Sequence, residues 1–230
     1  RGAPEMAIKN KRTEGLWMDT GGSYWVDPYA PQVWAYNLAI AKESAALGFD
    51  EVQFDYIRLP SDGEVANIVY PAKAADDRRK RWEVIEGLLA QLPHELQNVY
   101  ISVDTFGWTA WKEGENDLGI GQRFVEMARY VDYVSPMVYP STFESGGLDY
   151  PRPAEHPYEV VYRSSLNAAA RIAHLRAKIR PWLQDFNDYT YGLPYNAPQV
   201  KAQIKAANDA QSYGWLLWHP AGIYTQDAWK

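Results

Sequence analysis

Helical and strand-like patterns alternate along the chain, and this alternation constrains the fold more than any other feature of the sequence. Amphipathic segments with a period near 3.6 alternate with short runs rich in β-branched and aromatic residues. The predicted strands cover residues 50–60, 99–104, 133–139, 179–185 and 215–218, and the predicted helices cover 33–48, 72–92, 122–130, 158–177 and 198–212. No hairpin separates consecutive strands, which favours a parallel sheet with right-handed helical crossovers. Before them, residues 16–27 are predicted to form a hairpin or an irregular loop.

Two parallel architectures fit this order, a (β/α)8 TIM barrel and a doubly wound open sheet. The Gly-rich turns G-x-G-x-x-G and G-x-x-x-x-G-K-[ST] of doubly wound nucleotide-binding domains do not occur in the sequence. The predicted strands end instead in polar or aromatic residues, which is typical of the catalytic face of a barrel. We therefore predict an α/β fold of the TIM-barrel type. Because a barrel needs eight strands and five are recognisable, we expect residues 1–230 to be one domain holding about the last five strands, with the N-terminal strands upstream of Arg1.

The composition excludes several kinds of site. The chain has no Cys, which rules out disulfides, zinc–thiolate centres and thiol nucleophiles. Its four His are scattered and form no H-x-x-x-H pattern, so we expect neither a metal nor another cofactor. A net charge of −6 makes nucleic acid and anionic lipid poor partners. No apolar stretch approaches the roughly 18 residues of a membrane span.

The run DEVQFDYIR, residues 50–58, carries the strongest catalytic signal. Strand alternation places Gln53, Asp55 and Ile57 on one face and apolar or aromatic residues on the other. If the apolar face meets the helices, Asp55 points into the barrel near its carboxyl end, where an acid is costly unless it is paired or functional. Arg58 is near enough in sequence to orient it, with Gln53. The alternative is that Asp55 and Arg58 form a buried ion pair with a purely structural role.

Asp104 supplies a second carboxyl group on the next predicted strand, on the same face as Ser102. Because neighbouring strands lie about 4.8 Å apart, Asp55 and Asp104 can approach the roughly 5–5.5 Å of a retaining glycosidase pair. In that arrangement one ionised acid is the nucleophile, and the other is a general acid whose pKa is raised by its neighbour. The alternative for Asp104 is a helix N-cap or a loop acceptor.

Aromatic and polar residues at the predicted strand ends complete the candidate site. Flat side chains stack on the apolar faces of sugar rings, and polar residues bond the hydroxyl rims. The candidate sugar-binding residues at strand ends, besides Gln53 and Arg58, are Trp108, Tyr139, Trp182, Gln184, Asp185, Trp218 and His219. Each aromatic residue could equally fill the barrel interior, and an Asp before Phe-Asn-Asp is also ordinary loop chemistry.

Several long motifs resemble those of the glycoside hydrolase family once catalogued as domain of unknown function 4015. They are FDYIRLPSDG, SVDTFGW, DYVSPMVYPS, RPWLQDF and GWLLWHP, in that order and over nearly the whole chain. The resemblance implies a TIM barrel from bacterial, often exported proteins, related to amylase-like and α-galactosidase-like hydrolases. It also implies that Asp55 is the nucleophile at the end of the fourth strand. The amylase-like acid on the fifth strand, usually Glu, then falls on Asp104.

Resemblance to family 18 chitinases is weaker. Their motif D-x-x-D-x-D-x-E matches Asp50 and Asp55, but Gln53 and Ile57 replace its second Asp and its acid Glu. This departure argues against substrate-assisted chitin cleavage.

The sequence therefore predicts a retaining glycoside hydrolase with carbohydrate as its partner, and the family resemblance implies that it acts outside the cell or at the cell envelope. The main alternative is a catalytically silent barrel that binds polysaccharide or cell wall. A third possibility is a different barrel enzyme, such as an aldolase or a phosphate-ester enzyme. The sequence contains no well-placed Lys base or phosphate loop that would support it.

Overall fold

A computed structural model describes residues 3–230, and its main feature is a curled parallel sheet. The strands of this sheet are β2 (Glu51–Phe54), β4 (Tyr100–Phe106), β5 (Tyr133–Met137), β6 (Lys178–Ile179), β7 (Trp182–Gln184) and β8 (Leu216–Trp218). Their order is β2-β4-β5-β7-β8, with β6 paired to β5, and every pair is parallel. This arrangement is half of a barrel, which confirms the predicted α/β class and the parallel sheet. Strands upstream of Arg1 stay a prediction.

Helices connect successive strands and cover the outer face of the sheet. They are α1 (Pro31–Ala46), α2 (Arg81–Leu89), α3 (Leu92–Glu95), α4 (Phe124–Ala128), α5 (Pro157–Arg171) and α6 (Ala197–Asp209). The larger core joins Ile101 and Val103 of β4 to Leu88 of α2 and Met127 of α4, and a second core joins Leu183 of β7 to α5 and α6. Because the apolar residues of each strand face the helices, alternate residues face the concave side of the sheet.

An ion pair crosses the concave side. Glu51 of β2 meets Arg180, which lies between β6 and β7, through two hydrogen bonds, one of them 3.0 Å long between Nη1 and Oε2. The Arg180 guanidinium also lies 4.2 Å from the centre of the Tyr133 ring on β5. Strands at separate positions in the sheet order are therefore linked through its interior, as expected for a curled sheet.

Residues near the N-terminus form a small antiparallel unit that the sequence pattern did not predict. β1 (Lys9–Asn10) pairs with β3 (Ile68–Val69), and single bridges join Met18 to Tyr24 and Ala7 to Val26. The predicted hairpin or irregular loop of residues 16–27 is thus an irregular loop with antiparallel bridges.

Several predicted boundaries differ from the structure; the helix predicted over 158–177, for example, ends at Arg171. The strand predicted over 50–60 ends at Phe54, because Tyr56 turns the chain; Ile57 is consequently buried in the core instead of facing inward with Asp55. The helix predicted over 72–92 begins only at Arg81, since the Asp77 side chain caps the Arg79 N–H in a turn. The strand predicted over 179–185 is divided around Pro181, which has no N–H to donate.

Candidate active site

The chain turns sharply after β2, and this turn presents Asp55. Tyr56 adopts the left-handed conformation with φ of 55°. An aromatic residue rarely does so, and the conformation costs roughly 1–3 kcal/mol. The turn directs the Tyr56 N–H to two carboxyl groups, with N···Oδ1 distances of 2.9 Å to Asp55 and 3.1 Å to Asp104. One backbone donor therefore holds both predicted acids.

Asp55 and Asp104 form a carboxyl pair, here called the dyad. The Tyr56 N–H lies within hydrogen-bonding distance of both side chains, so the two carboxyl groups are neighbours. They are brought together because β2 and β4 pair directly, with Gln53 opposite Ser102 one step earlier on the same face. The two acids predicted to meet thus lie beside each other at the carboxyl end of the sheet.

The dyad members differ in access to solvent. Asp104 is 3% exposed, whereas Asp55 is exposed at the carboxyl end of the sheet. Burial raises the pKa of Asp104 to about 8; the hydrogen bond and negative charge of Asp55 act in the same direction, and the Tyr56 N–H and the Arg58 charge oppose them. Asp104 is therefore the member that holds a proton at neutral pH.

Gln122 holds the backbone around the dyad, and sequence reasoning did not identify it. Its side chain is fully buried. Its Oε1 accepts from the Phe106 N–H at 2.9 Å, and its Nε2 donates to the carbonyl groups of Ile57 at 3.2 Å and Asp104 at 3.4 Å. This amide therefore ties the end of β4 to the turn after β2. A single Gln in a loop carries no periodic signal that would have revealed this role.

The preceding glycine explains how the Gln122 loop reaches so far inward. Gly121 has a φ of 82°, and a Cβ added to it would lie 2.9 Å from Leu59 Cδ1 and 3.2 Å from the Arg81 carbonyl oxygen. A larger residue would strain the backbone and push the loop away from the dyad.

Tyr139, predicted to bind sugar, lies near the dyad. It is buried just after β5, with its ring edge-on to Phe186 at a centroid distance of 5.4 Å. Burial raises the pKa of Tyr139, and the charges of Asp104 and Asp55 raise it further. Its hydroxyl therefore stays protonated and can donate or accept a hydrogen bond.

Arg58 and Gln53 line one groove together with Asp55. This groove, called the Arg58 groove, has a volume of about 520 Å³ and runs between the edge strand β2, helix α1 and the loop that carries Trp25. The ion pairs of residues 3–230 do not include Arg58. The alternative of a buried Asp55–Arg58 ion pair is thus not what the structure contains.

Trp108 lies beyond the end of β4 and is held in a cluster of its own. Its ring packs against Phe143 at a centroid distance of 4.8 Å, and Lys112 lies over its face at 5.2 Å. Trp108 also contacts the core that contains Leu148 and Val160. These contacts fix the loop after β4, and sugar binding by Trp108 stays a prediction.

Gln184 and Asp185, at the end of β7, are buried and fully engaged with other loops. Gln184 Oε1 accepts from the backbone N–H and the hydroxyl of Ser141, and its Nε2 donates to the Phe186 carbonyl at 2.9 Å. The Asp185 carboxylate accepts from the Thr225 N–H at 2.8 Å and from the Thr225 hydroxyl at 2.6 Å. Both side chains thus hold loops in place, and their contact with sugar stays a prediction.

Trp182, predicted at a strand end, instead begins β7, whereas Trp218 ends β8 and His219 follows it. Trp182 and Trp218 meet edge to face at 6.0 Å, and Trp218 remains 42% exposed. His219 Nδ1 accepts from the N–H groups of Ala221 and Ile223, which fixes the following turn. The structure therefore offers the Trp218 ring, but not the Nδ1 of His219, to a ligand.

The absence of a metal stays a prediction. Within residues 3–230, no group of three or more His, Asp or Glu side chains is placed to hold a metal ion. Over the same range, no helix combines the length and the apolar character needed to cross a bilayer.

Comparison with known families gives the class of the protein. Residues 1–224 match the sequence model of a family described as "Putative glycosyl hydrolase domain". Because the match covers almost the whole chain, the protein belongs to this family, and the resemblance seen in the motifs is confirmed. No curated protein matches the chain.

Solved structures support a barrel-type fold. The glycoside hydrolase domain of PgaB (BpsB) from Bordetella bronchiseptica is 13% identical with a TM-score of 0.61 over 93% of this chain, and the spore cortex-lytic enzyme SleL from Bacillus megaterium QM B1551 is 12% identical with a TM-score of 0.56 over 88%. A hypothetical protein from Ruminiclostridium thermocellum is 36% identical over 44% of this chain, with a TM-score of 0.38. The chain spans only 64%, 53% and 48% of these three structures, respectively.

Proposed function

We propose that this protein is a retaining glycoside hydrolase that cleaves a poly- or oligosaccharide with the Asp55–Asp104 dyad. The observation that carries the proposal is the contact between one exposed carboxyl group and one buried, protonated one. A pair that divides its protons in this way supplies a nucleophile and a general acid at the same pH.

The roles follow from solvent access and protonation. Asp55, exposed at the end of the sheet, attacks the anomeric carbon. Asp104 gives its proton to the leaving oxygen and then accepts one from the water that releases the sugar. A sugar that binds at the dyad separates the two carboxyl groups and takes the place of their hydrogen bond. Inversion requires a pair about 6.5–9.5 Å apart with room for a water molecule. The Tyr56 nitrogen lies 2.9 Å from Asp55 Oδ1 and 3.1 Å from Asp104 Oδ1, so these two oxygens are closer together than inversion requires, which supports retention.

Family membership and the names of the structural neighbours support a carbohydrate substrate. Two neighbours are called a glycoside hydrolase domain and a spore cortex-lytic enzyme. With the resemblance to exported bacterial proteins, these names support our proposal that this chain acts outside the cell or at the cell envelope.

Replacing Asp55 by Asn tests the proposal. The protein would be incubated with a panel of polysaccharides, with new reducing ends as the measure of cleavage. We expect cleavage of at least one polymer by the native chain and background activity for Asp55→Asn, with an unchanged circular dichroism spectrum. Asp76→Asn is the matched control, because Asp76 is exposed.

The outcomes separate the alternatives. Full activity of Asp55→Asn removes Asp55 from the mechanism. Binding of a polymer without cleavage by the native chain favours a silent polysaccharide-binding barrel. The anomer released first, followed by NMR, distinguishes retention from inversion.

A further inference from the structure

Arg58 is a half-buried cation beside the dyad whose charge no ion pair of residues 3–230 neutralises. Three aromatic rings surround its guanidinium, at centroid distances of 4.7 Å for Trp25 and 4.9 Å for both Tyr56 and Phe106. These rings restrict the guanidinium to one position and compensate part of its charge. A cation removed from water without an ionic partner remains costly.

The guanidinium is anchored at one end only. Nη1 donates to the Leu59 carbonyl at 3.0 Å and faces the Ser61 hydroxyl at 3.3 Å. Within residues 3–230, Nε and Nη2 of Arg58 donate no hydrogen bond, and solvent reaches both atoms. The Tyr56 hydroxyl also lies near the guanidinium. Arg58 thus keeps donors that a ligand can reach.

The acidic groups around Arg58 leave its charge largely available. Asp104, Asp62 and Asp19 act on it through space. Asp104 is protonated at neutral pH, Asp19 accepts hydrogen bonds from the Trp25 indole and the Ser23 N–H, and Asp62 faces the Thr20 N–H. Loop contacts therefore engage the carboxyl groups of Asp19 and Asp62, and neither forms an ion pair with Arg58.

We propose that Arg58 binds a carboxylate carried by the glycan substrate, so that the substrate class is an acidic glycan. This inference rests on the proposed function, because it places the carboxylate on a sugar in the Arg58 groove next to the bond that the dyad cleaves. A planar guanidinium with free donors matches the two oxygens of a carboxylate. The protein as a whole carries a charge of −6 and repels polyanions, so a local cation is needed to hold one. The carboxylate belongs either to a uronic acid ring or to an acidic ether substituent of an amino sugar.

Binding to Asp55→Asn protein tests this inference without requiring turnover. Calorimetry would use two acidic probes, a uronic-acid oligosaccharide and a muramic-acid-containing oligosaccharide, each beside its methyl ester. We expect one acid to bind about tenfold or more tightly than its ester, since a charge-assisted hydrogen bond is worth this much. Which probe binds identifies the source of the carboxylate.

Variants at Arg58 complete the test. In the Asp55→Asn background, Arg58→Met should remove the preference for acid over ester, and Arg58→Lys should retain part of it. Arg78→Met is the control, because Arg78 is exposed and does not line the groove. Equal affinity for acid and ester, no binding of either acid, or a preference that survives Arg58→Met would each overturn the inference. Cleavage of a neutral glycan by the native chain would overturn it as well, while leaving the proposed function intact.

Discussion

Two buried aspartates at the carboxyl end of the same sheet have opposite surroundings. Asp185, after β7, is 2% exposed and accepts two short hydrogen bonds from Thr225. Asp104, on β4, is 3% exposed, but its neighbours are the Tyr56 N–H and a second carboxyl group, that of Asp55. Burial is the same for both acids, and only the partners differ.

This difference shows that burial alone does not make an acid reactive. Donors from Thr225 bond both oxygens of Asp185 and fix this side chain to a loop. An acidic neighbour destabilises the ionised form of Asp104, so a proton is retained where a leaving group can use it. In the proposed function, the β2–β4 side of the sheet transfers protons, whereas the observed bonds of Asp185 on the β7–β8 side hold a loop.

Removing the Asp104 carboxyl group should have the largest effect. General acids contribute about 10²–10⁴-fold to rate, so we expect Asp104→Asn to lower kcat by that factor on a substrate with a poor leaving group. In the native enzyme, kcat/KM should fall as the pH rises through about 8, where Asp104 loses its proton. A pH–rate profile checks both points; an unchanged alkaline limb in Asp104→Asn would contradict the assignment.

The same residue should control how stability depends on pH. The folded-state pKa of Asp104 is raised from 3.8 to about 8, so the folded protein binds a proton more tightly than the unfolded chain. Its contribution is fully present below about pH 4 and is lost as the pH rises through about 8. Urea unfolding from pH 4 to 9 should therefore show a decline in native stability that Asp104→Asn lacks. Asp76→Asn, at an exposed site, should retain the decline.

The sequence predicted the dyad because its placement depends only on regular features. A period of two in each strand places Asp55 and Asp104 on the inward face, and direct pairing of β2 and β4 brings them together. Five strands and the helices between them were recognisable for the same reason. Helix ends were less predictable. Residues 72–80, predicted to be helical, instead include a turn in which the Asp77 side chain accepts from the Arg79 N–H.

Features that depend on distant contacts were not predictable. Tyr56 adopts the left-handed conformation although it is not a glycine, so the sequence does not indicate the turn that changes the direction of Ile57. Gln122 acts on carbonyl groups 65 and 18 positions away in the chain, and no local pattern encodes such contacts. Likewise, the hydrogen bonds from Ser141 to Gln184 and from Thr225 to Asp185 join residues about 40 positions apart, and no local pattern in the sequence predicts them.

Replacing Gln122 tests whether the position of the dyad depends on the hydrogen bonds from this side chain to the backbone. Gln122→Ala removes three hydrogen bonds and leaves buried backbone groups unpaired, so we expect a loss of about 2–4 kcal/mol in the free energy of unfolding. Because the tie sets the position of Asp104, kcat should fall by about tenfold. Urea unfolding and steady-state kinetics measure both effects, with Gln97→Ala as the control at an exposed glutamine. Native-like stability and turnover in Gln122→Ala would show that β2 and β4 position the dyad unaided.

Asp185→Asn should have the smallest effect on catalysis and thus sharpens the contrast between the two sides. Loss of the charge-assisted bonds to Thr225 should cost about 1.5–3 kcal/mol of stability, while kcat and KM change by no more than a few-fold. Thr225→Ala should destabilise the protein similarly, since it removes the hydroxyl partner of the same carboxylate. If Asp185 instead binds sugar directly, Asp185→Asn will raise KM strongly and Thr225→Ala will not, because only the carboxylate would touch the substrate. Comparing KM with urea stability in these two variants therefore decides whether the β7–β8 side holds loops or recognises the glycan.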